Sequence, residues 1–230
     1  MHQQRLKFSI PASYRYGSWI RHCGVESGCS RIALWLVQGG TLWLTSDSVA
    51  GKTHFLHALK QEHPHIGLVL VDGKQEASVR LVDRWLKQLE PFACWIVDIP
   101  AGPISRACGL ALFHLMERAR EMNRSLLIAW RCSDDELSPP ELSSRMRMME
   151  QVRFIPPVSD LDMKKIIYSV AEELQWNVKE SVVSLMLSQL PRTIADQVDA
   201  LKQLESASLE ERKRMTQAWA KEKLNLDSAS

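Results

Sequence analysis

Eight residues between an apolar run and a helical pattern have the types and order that could bind phosphate. The run Thr41–Thr45 is typical of a buried strand, His54–Leu59 is typical of a helix, and Ser46–Thr53 between them ends in Gly-Lys-Thr. A strand, a tight loop and a helix in this order form a phosphate-binding P-loop. The helix start offers unpaired N–H groups to an anion. Lys52 would add charge for the outer phosphates, and the Thr53 hydroxyl would hold Mg²⁺.

This loop predicts a set of nucleotide contacts. The predicted nucleotide-binding residues of the loop are Ser48, Val49, Ala50, Gly51, Lys52, Thr53 and His54. Ser46 stands where the pattern has its first glycine, so we expect phosphate to be held more loosely. The alternative is a plain strand-to-helix turn. Because a cation at a helix N-terminus is mildly unfavourable, Lys52 favours the ligand-binding interpretation.

A second apolar run, Ala93–Val97, is followed by Asp98 at the strand end where α/β sheets bind ligands. A P-loop needs such a carboxylate to hold Mg²⁺ through its water shell, so Thr53 and Asp98 are the predicted metal contacts. Alone, Asp98 would more often be a strand-end cap. The next residues, Ile99 and Pro100, cannot act as a base. We therefore expect slow or no intrinsic ATP hydrolysis.

The elements that must position these residues alternate between strand and helix. Further strands are predicted at Ile66–Val71, Leu126–Trp130 and Val152–Ile155, and further helices at Ser30–Gln38, Ala77–Leu89 and Ile104–Met122. Such alternation predicts an α/β fold with a parallel sheet covered on both faces.

After Pro156-Pro157 the pattern becomes entirely helical. Helices are predicted at Asp160–Gln175, Lys179–Leu190, Thr193–Ser206 and Leu209–Leu224. The chain is thus divided into a tail and irregular lead-in (1–29), an α/β nucleotide-binding domain (30–156) and a small helical lid domain (157–230).

Composition indicates an ordinary globular protein. The 230 residues carry a net charge of +2, which argues against strongly electrostatic nucleic-acid binding. The five cysteines show no metal-ligand spacing, and no segment has the pattern of a signal peptide or a membrane span. We expect a cytoplasmic protein.

The loop, Asp98, the proline pair and the helical lid together resemble the AAA+ ATPases of the DnaA type, over roughly residues 30–226. The stretch 50–58, Ala-Gly-Lys-Thr-His-Phe-Leu-His-Ala, is the most similar part. The segment 140–145, Pro-Glu-Leu-Ser-Ser-Arg, is similar to the family's arginine-finger segment, and 190–194, Leu-Pro-Arg-Thr-Ile, to its second sensor.

The resemblance implies that the chain binds ADP or ATP with Mg²⁺. It implies that Arg192 bridges the lid to phosphate and that Arg145 is presented to ATP held by a neighbouring DnaA. Taken alone, each would be an exposed surface arginine. The family's first sensor is a small polar residue, which we do not find around Ala129–Arg131; Ser133 is poorly placed to replace it.

The N-terminal Gln3-Gln4-Arg5-Leu6-Lys7-Phe8 has the form Gln-x-x-Leu-x-Phe, with which replication proteins bind the β sliding clamp. Leu6 and Phe8 would enter an apolar pocket while Gln3 supplies hydrogen bonds. The sequence ends after the lid, so no DNA-binding helix-turn-helix is expected, and DNA would be reached only through partners. Self-association is possible for this family.

Three functions remain open. The first is a regulator of replication initiation that stimulates ATP hydrolysis by DnaA through Arg145, with the clamp as second partner. The second is a non-catalytic adaptor of the same type, a helicase-loading or DnaA-recruiting partner, for which Arg145 would be dispensable. The third is a P-loop phosphotransferase, which gives no role to Arg145 or to the tail.

Overall fold

A computed structural model of the protein describes residues 19–72, 77–133, 136–211 and 216–226. The predicted clamp-binding residues Gln3, Leu6 and Phe8 lie outside the described residues. None of the helices in the described ranges is long and apolar enough to cross a membrane.

The centre of the α/β part is a parallel sheet of five strands, as the alternating pattern predicted. The strands are β1 (Thr41–Thr45), β2 (Ile66–Leu70), β3 (Cys94–Asp98), β4 (Ser125–Ala129) and β5 (Glu150–Arg153). Their order across the sheet is β2-β3-β4-β1-β5, and every neighbouring pair is parallel. The strand that leads into the P-loop and the strand that ends in Asp98 therefore flank β4.

Helices cover both faces of this sheet. They are α1 (Cys23–Gln38), α2 (Lys52–Glu62), α3 (Ser78–Leu89), α4 (Arg106–Glu121) and α5 (Pro140–Met148). One apolar core joins α3, α4 and α5 to one face, and a second joins α1 and α2 to the other. Alternate residues of β3 enter the two cores, because successive side chains of a strand point to opposite faces.

Helix α1 begins at Cys23, seven residues before the predicted start at Ser30. The prediction treated Gly24 and Gly28 as signs of an irregular segment. In the structure Gly28 is buried, and a Cβ there would lie 2.6 Å from the Phe154 ring. The glycine therefore allows α1 to pack closely against the chain that follows β5.

Four helices follow the predicted boundary at Pro156-Pro157 within residues 158–211 and 216–226, which the structure describes. They are α6 (Asp160–Glu173), α7 (Glu180–Gln189), α8 (Ile194–Glu211) and α9 (Gln217–Lys223). Their buried apolar residues form a third core of their own. Helix α8 continues past the predicted end at Ser206, since no Gly or Pro interrupts it and Ala207 packs against this core.

Three aromatic rings connect the P-loop helix to the chain after β5. The ring of Phe55 on α2 lies 5.0 Å from that of Trp19 and 5.2 Å from that of Phe154, centroid to centroid. Phe154 is fully buried.

We expect Phe154→Ala to lower the free energy of unfolding by about 3–5 kcal/mol, measured by urea denaturation. Val158→Ala, at an exposed position, should change it by no more than about 0.5 kcal/mol. A loss below 1 kcal/mol for Phe154→Ala would contradict this role of the ring.

Candidate nucleotide site

The phosphate loop joins the end of β1 to the start of α2. Gly51 is the N-cap residue of α2 and has the left-handed conformation (φ 72°, ψ 20°), which glycine adopts without strain. Helix α2 then begins at Lys52, and the Phe55 N–H donates to the Gly51 carbonyl at 2.9 Å. Because glycine has no side chain to cap the helix, the N–H groups of its first turn are available to an anion.

Ser46 has a specific role in the loop. Its side chain is buried, its hydroxyl donates to the Ser48 carbonyl at 2.8 Å, and it accepts a hydrogen bond from the Lys52 ammonium at 2.5 Å. The residue in place of the first glycine thus holds the lysine. Sequence reasoning noted the substitution and missed this contact.

Asp98 lies beside the loop at the end of β3. Its side chain is buried, and burial raises the pKa of its carboxyl group, an effect opposed by a hydrogen bond from the Thr53 side chain and by the charge of Lys52. The two residues predicted to contact Mg²⁺ are therefore in direct contact. A hydroxyl and a carboxylate are the oxygen ligands that Mg²⁺ accepts. The described residues contain no cluster of three or more His, Cys, Asp or Glu suited to a metal, so the remaining ligands would come from phosphate and water.

Lys52 has an unusual electrostatic environment. Its pKa is lowered to about 8, first by burial and then by the positive charge of Arg131, while Asp98 acts in the opposite direction. Arg131 was absent from the predicted site. No local pattern in the sequence indicates it, because its place depends on the position of β4 between β1 and β3.

The residue after Asp98 offers no base, as the sequence predicted. Ile99 is buried in the core formed with α3 and α4, and its N–H donates to the Ala129 carbonyl. A water molecule beside a terminal phosphate would therefore find no carboxylate at position 99 to remove its proton.

Other predicted loop residues have different surroundings. Ala50 is buried in the core, whereas Val49 is exposed. The His54 side chain faces the lid, where its Nε2 lies 3.8 Å from Oε1 of Glu173 on α6. Of the His54 groups, it is therefore the backbone N–H, in the first turn of α2, that could contact a phosphate.

Arg192 lies two residues before α8 and is exposed. Its guanidinium pairs with Asp160 at the start of α6, with 3.4 Å between Nη1 and Oδ1. This ion pair connects two lid helices. The predicted contact between Arg192 and phosphate would require the side chain to leave Asp160.

Arg145 lies on α5 at the opposite edge of the sheet from the P-loop. Its Nε is 2.7 Å from Oε1 of Glu117 on α4, and Oε2 of Glu117 accepts from Arg120 at 2.8 Å. All three side chains line a cavity of about 490 Å³. The cavity is also lined by Thr41, the first residue of β1, and by Gly40 before it. The predicted arginine finger is thus partly exposed and paired with one carboxylate.

Several solved structures have a similar fold at low sequence identity. Domain III of the replication initiation protein DnaA from Thermotoga maritima has a TM-score of 0.69 at 16% identity, over 92% of this chain and 95% of that chain. AMPPCP-bound DnaA from Aquifex aeolicus has a TM-score of 0.57 at 14% identity, over 86% and 68%. The Thermotoga maritima RuvB Holliday junction branch migration motor has a TM-score of 0.66 at 12% identity, over 94% and 72%. No protein-family model matches the chain.

These likenesses define the class of fold. The chain has the AAA+ fold, a P-loop on a parallel five-stranded sheet followed by helices, and the predicted fold class is confirmed. More particularly, this is the fold of DnaA domain III, which matches over nearly the whole length of both chains.

Proposed function

We propose that the chain binds ADP or ATP at the P-loop and acts as a regulator of replication initiation of the Hda type, the regulatory inactivator of DnaA. The proposal for nucleotide binding is supported by the left-handed Gly51, by the uncapped start of α2 and by the contact between Thr53 and Asp98. It is also supported by a similar fold in a DnaA bound to AMPPCP.

The position of Arg145 supports the proposal that it acts on nucleotide bound by a partner protein. Arg145 lines a cavity with residues that begin β1 and β4, whereas the P-loop follows the other end of β1. A strand of five residues is roughly 16 Å long, so Arg145 cannot reach phosphate bound in its own loop. An arginine that stabilises phosphoryl transfer from this position must act on nucleotide held by another molecule.

The partner that fits best is DnaA with bound ATP. The fold likeness to DnaA domain III supports a similar manner of association, and Ile99 in place of a base suits a protein that activates hydrolysis elsewhere. In this proposal the DNA-loaded β sliding clamp binds the tail through Gln3, Leu6 and Phe8 and brings Arg145 to DnaA. DnaA would be left with ADP.

The clamp requirement has a direct test. We expect the chain with ADP to accelerate loss of ATP from DnaA only when DNA-loaded clamp is present. Changing Leu6 and Phe8 together to alanine should remove at least nine-tenths of the acceleration, because both apolar anchors of the peptide are lost. Radiolabelled nucleotide bound to DnaA is the measurement.

The matched control changes Ile10 to alanine, two residues beyond the motif, and should leave the acceleration intact. Equal acceleration without clamp would contradict the tail's role. Binding of DnaA and clamp with no acceleration in any mixture would favour the adaptor function over the activator.

A further inference from the structure

The serine in place of the first glycine of the P-loop pattern uses its hydroxyl group in two directions. Ser46 is 3 % exposed, its Oγ donates to the Ser48 carbonyl at 2.8 Å, and the same atom accepts from Nζ of Lys52 at 2.5 Å. A buried hydroxyl group is unfavourable unless it has such partners. The loop and the lysine both supply one, and a glycine at this position would make neither contact.

The bond between Ser46 and Ser48 restrains the first part of the loop. It joins a side chain to the backbone two residues further on, a local contact that serine commonly makes in turns. Glycine has more backbone freedom than any other residue and loses more of it on folding. Serine at position 46 therefore makes the loop more rigid than the glycine of the pattern would.

The charges around Lys52 indicate where its ammonium group would go without Ser46. Asp98 attracts the ammonium group, and Arg131 repels it. A direct ion pair between Lys52 and Asp98 would occupy the carboxylate that is predicted to contact Mg²⁺ and the cation that is predicted to meet phosphate. The hydrogen bond to Ser46 opposes this pairing.

The ammonium group can bind a ligand while Ser46 holds it. Lysine has three N–H donors, and Ser46 accepts from one of them, so two remain for phosphate oxygen atoms. A side chain that is already held in place loses less conformational entropy when the ligand binds. The contact with Ser46 therefore prepares Lys52 for phosphate.

We propose that Ser46 is a positioning residue for Lys52, and that this chain binds nucleotide more tightly with serine at position 46 than it would with glycine. This inference rests on the proposed nucleotide binding. From the sequence alone, the missing glycine was expected to loosen the hold on phosphate. The contacts of the hydroxyl group favour the opposite effect.

The effect is measured from the dissociation constant of ADP with Mg²⁺, by isothermal titration calorimetry. Ser46→Ala should weaken ADP binding about tenfold, the lower end of the range for a lost hydrogen bond to a charged group. Ser46→Gly should weaken it at least as much, because it also frees the backbone. Ser46→Thr keeps the hydroxyl group and should bind ADP more tightly than Ser46→Ala.

A double-mutant cycle separates the action through Lys52 from a general effect on the loop. In a chain that already carries Lys52→Ala, adding Ser46→Ala should weaken ADP binding by no more than about threefold, the part left to the bond with Ser48. Ser30→Ala is the matched control. Ser30 is exposed on α1 and its hydroxyl group also donates to a backbone carbonyl, that of Glu26 at 3.0 Å, so its loss should not change the constant.

The melting temperature of each variant shows that it is folded. If Ser46→Gly binds ADP as tightly as the unmodified chain, the inference is wrong while nucleotide binding stands. Equal losses for Ser46→Ala with and without Lys52 would also overturn it, because Ser46 would then act independently of the lysine. If the unmodified chain does not bind ADP, the proposed function fails as well.

Discussion

Changing Arg145 to alanine is expected to abolish the acceleration of ATP hydrolysis by DnaA, with the chain still binding nucleotide and clamp. Arginines supplied in trans contribute about 10³–10⁵ to the rate in other NTPases, so hydrolysis should return to the rate of DnaA alone. The geometry permits this role because the pair of Arg145 with Glu117 is partly exposed. Such pairs are worth about 0–1 kcal/mol, and a partner's phosphates can displace the carboxylate.

The measurement is the rate of loss of ATP from DnaA in a mixture with ADP, DNA-loaded clamp and each variant. Arg118→Ala is the matched control. Arg118 lies on α4 next to Glu117 and pairs with Glu121, but it does not line the cavity of Arg145. Full acceleration by Arg145→Ala would refute the arginine finger and leave the adaptor function.

Nucleotide affinity is expected to fall about tenfold as the pH is raised from 7 to 9. The Lys52 ammonium has a pKa of about 8, and phosphate binds only its protonated form well. Below pH 8 the proton is already present. Above it each binding event must take up a proton, so the affinity drops by up to tenfold for each pH unit. ADP titrations at several pH values measure the slope.

Lys52→Ala provides the second half of this prediction. Removing one member of a partly buried charge pair costs about 2–5 kcal/mol, roughly a factor of 30 or more in Kd, and the remaining affinity should no longer depend on pH in this range. The matched control is Lys202→Ala, which removes an exposed lysine from α8 and should behave as the unmodified chain. A flat pH profile in the unmodified chain would show that Lys52 does not titrate near pH 8.

Local patterns predicted the sheet and the loop because each depends on residues close in sequence. The apolar run before Asp98 identifies β3 to within one residue at each end. The order strand, loop, helix places the start of α2 within two residues, at His54 instead of Lys52. The contact between Thr53 and Asp98 was also within reach, since parallel strands bring their carboxyl ends to one edge.

Contacts across strands and helices could not be predicted in this way. Arg131 joins the site because β4 lies between β1 and β3, and no local pattern reveals that order. The same holds for Glu117, which meets Arg145 only because α4 packs on α5. The predicted start of α1 was wrong for a related reason: Gly28 packs against the ring of Phe154, and Gly24 lies against the backbone carbonyl of Ile155, both far away in sequence.

Helix α2 carries the predicted phosphate-binding residues and also contacts the lid, since Nε2 of His54 lies 3.8 Å from Oε1 of Glu173 on α6. The apolar cores of the lid and of the sheet are separate, so little buried area resists a change in the angle between them. A contact of this exposure is worth about 1 kcal/mol or less, whereas micromolar binding releases about 8 kcal/mol. A ligand whose binding free energy differs between two lid positions by a small part of this amount shifts the lid to the position that it binds more tightly. We therefore expect the angle of the lid to depend on which phosphate groups are bound at the start of α2.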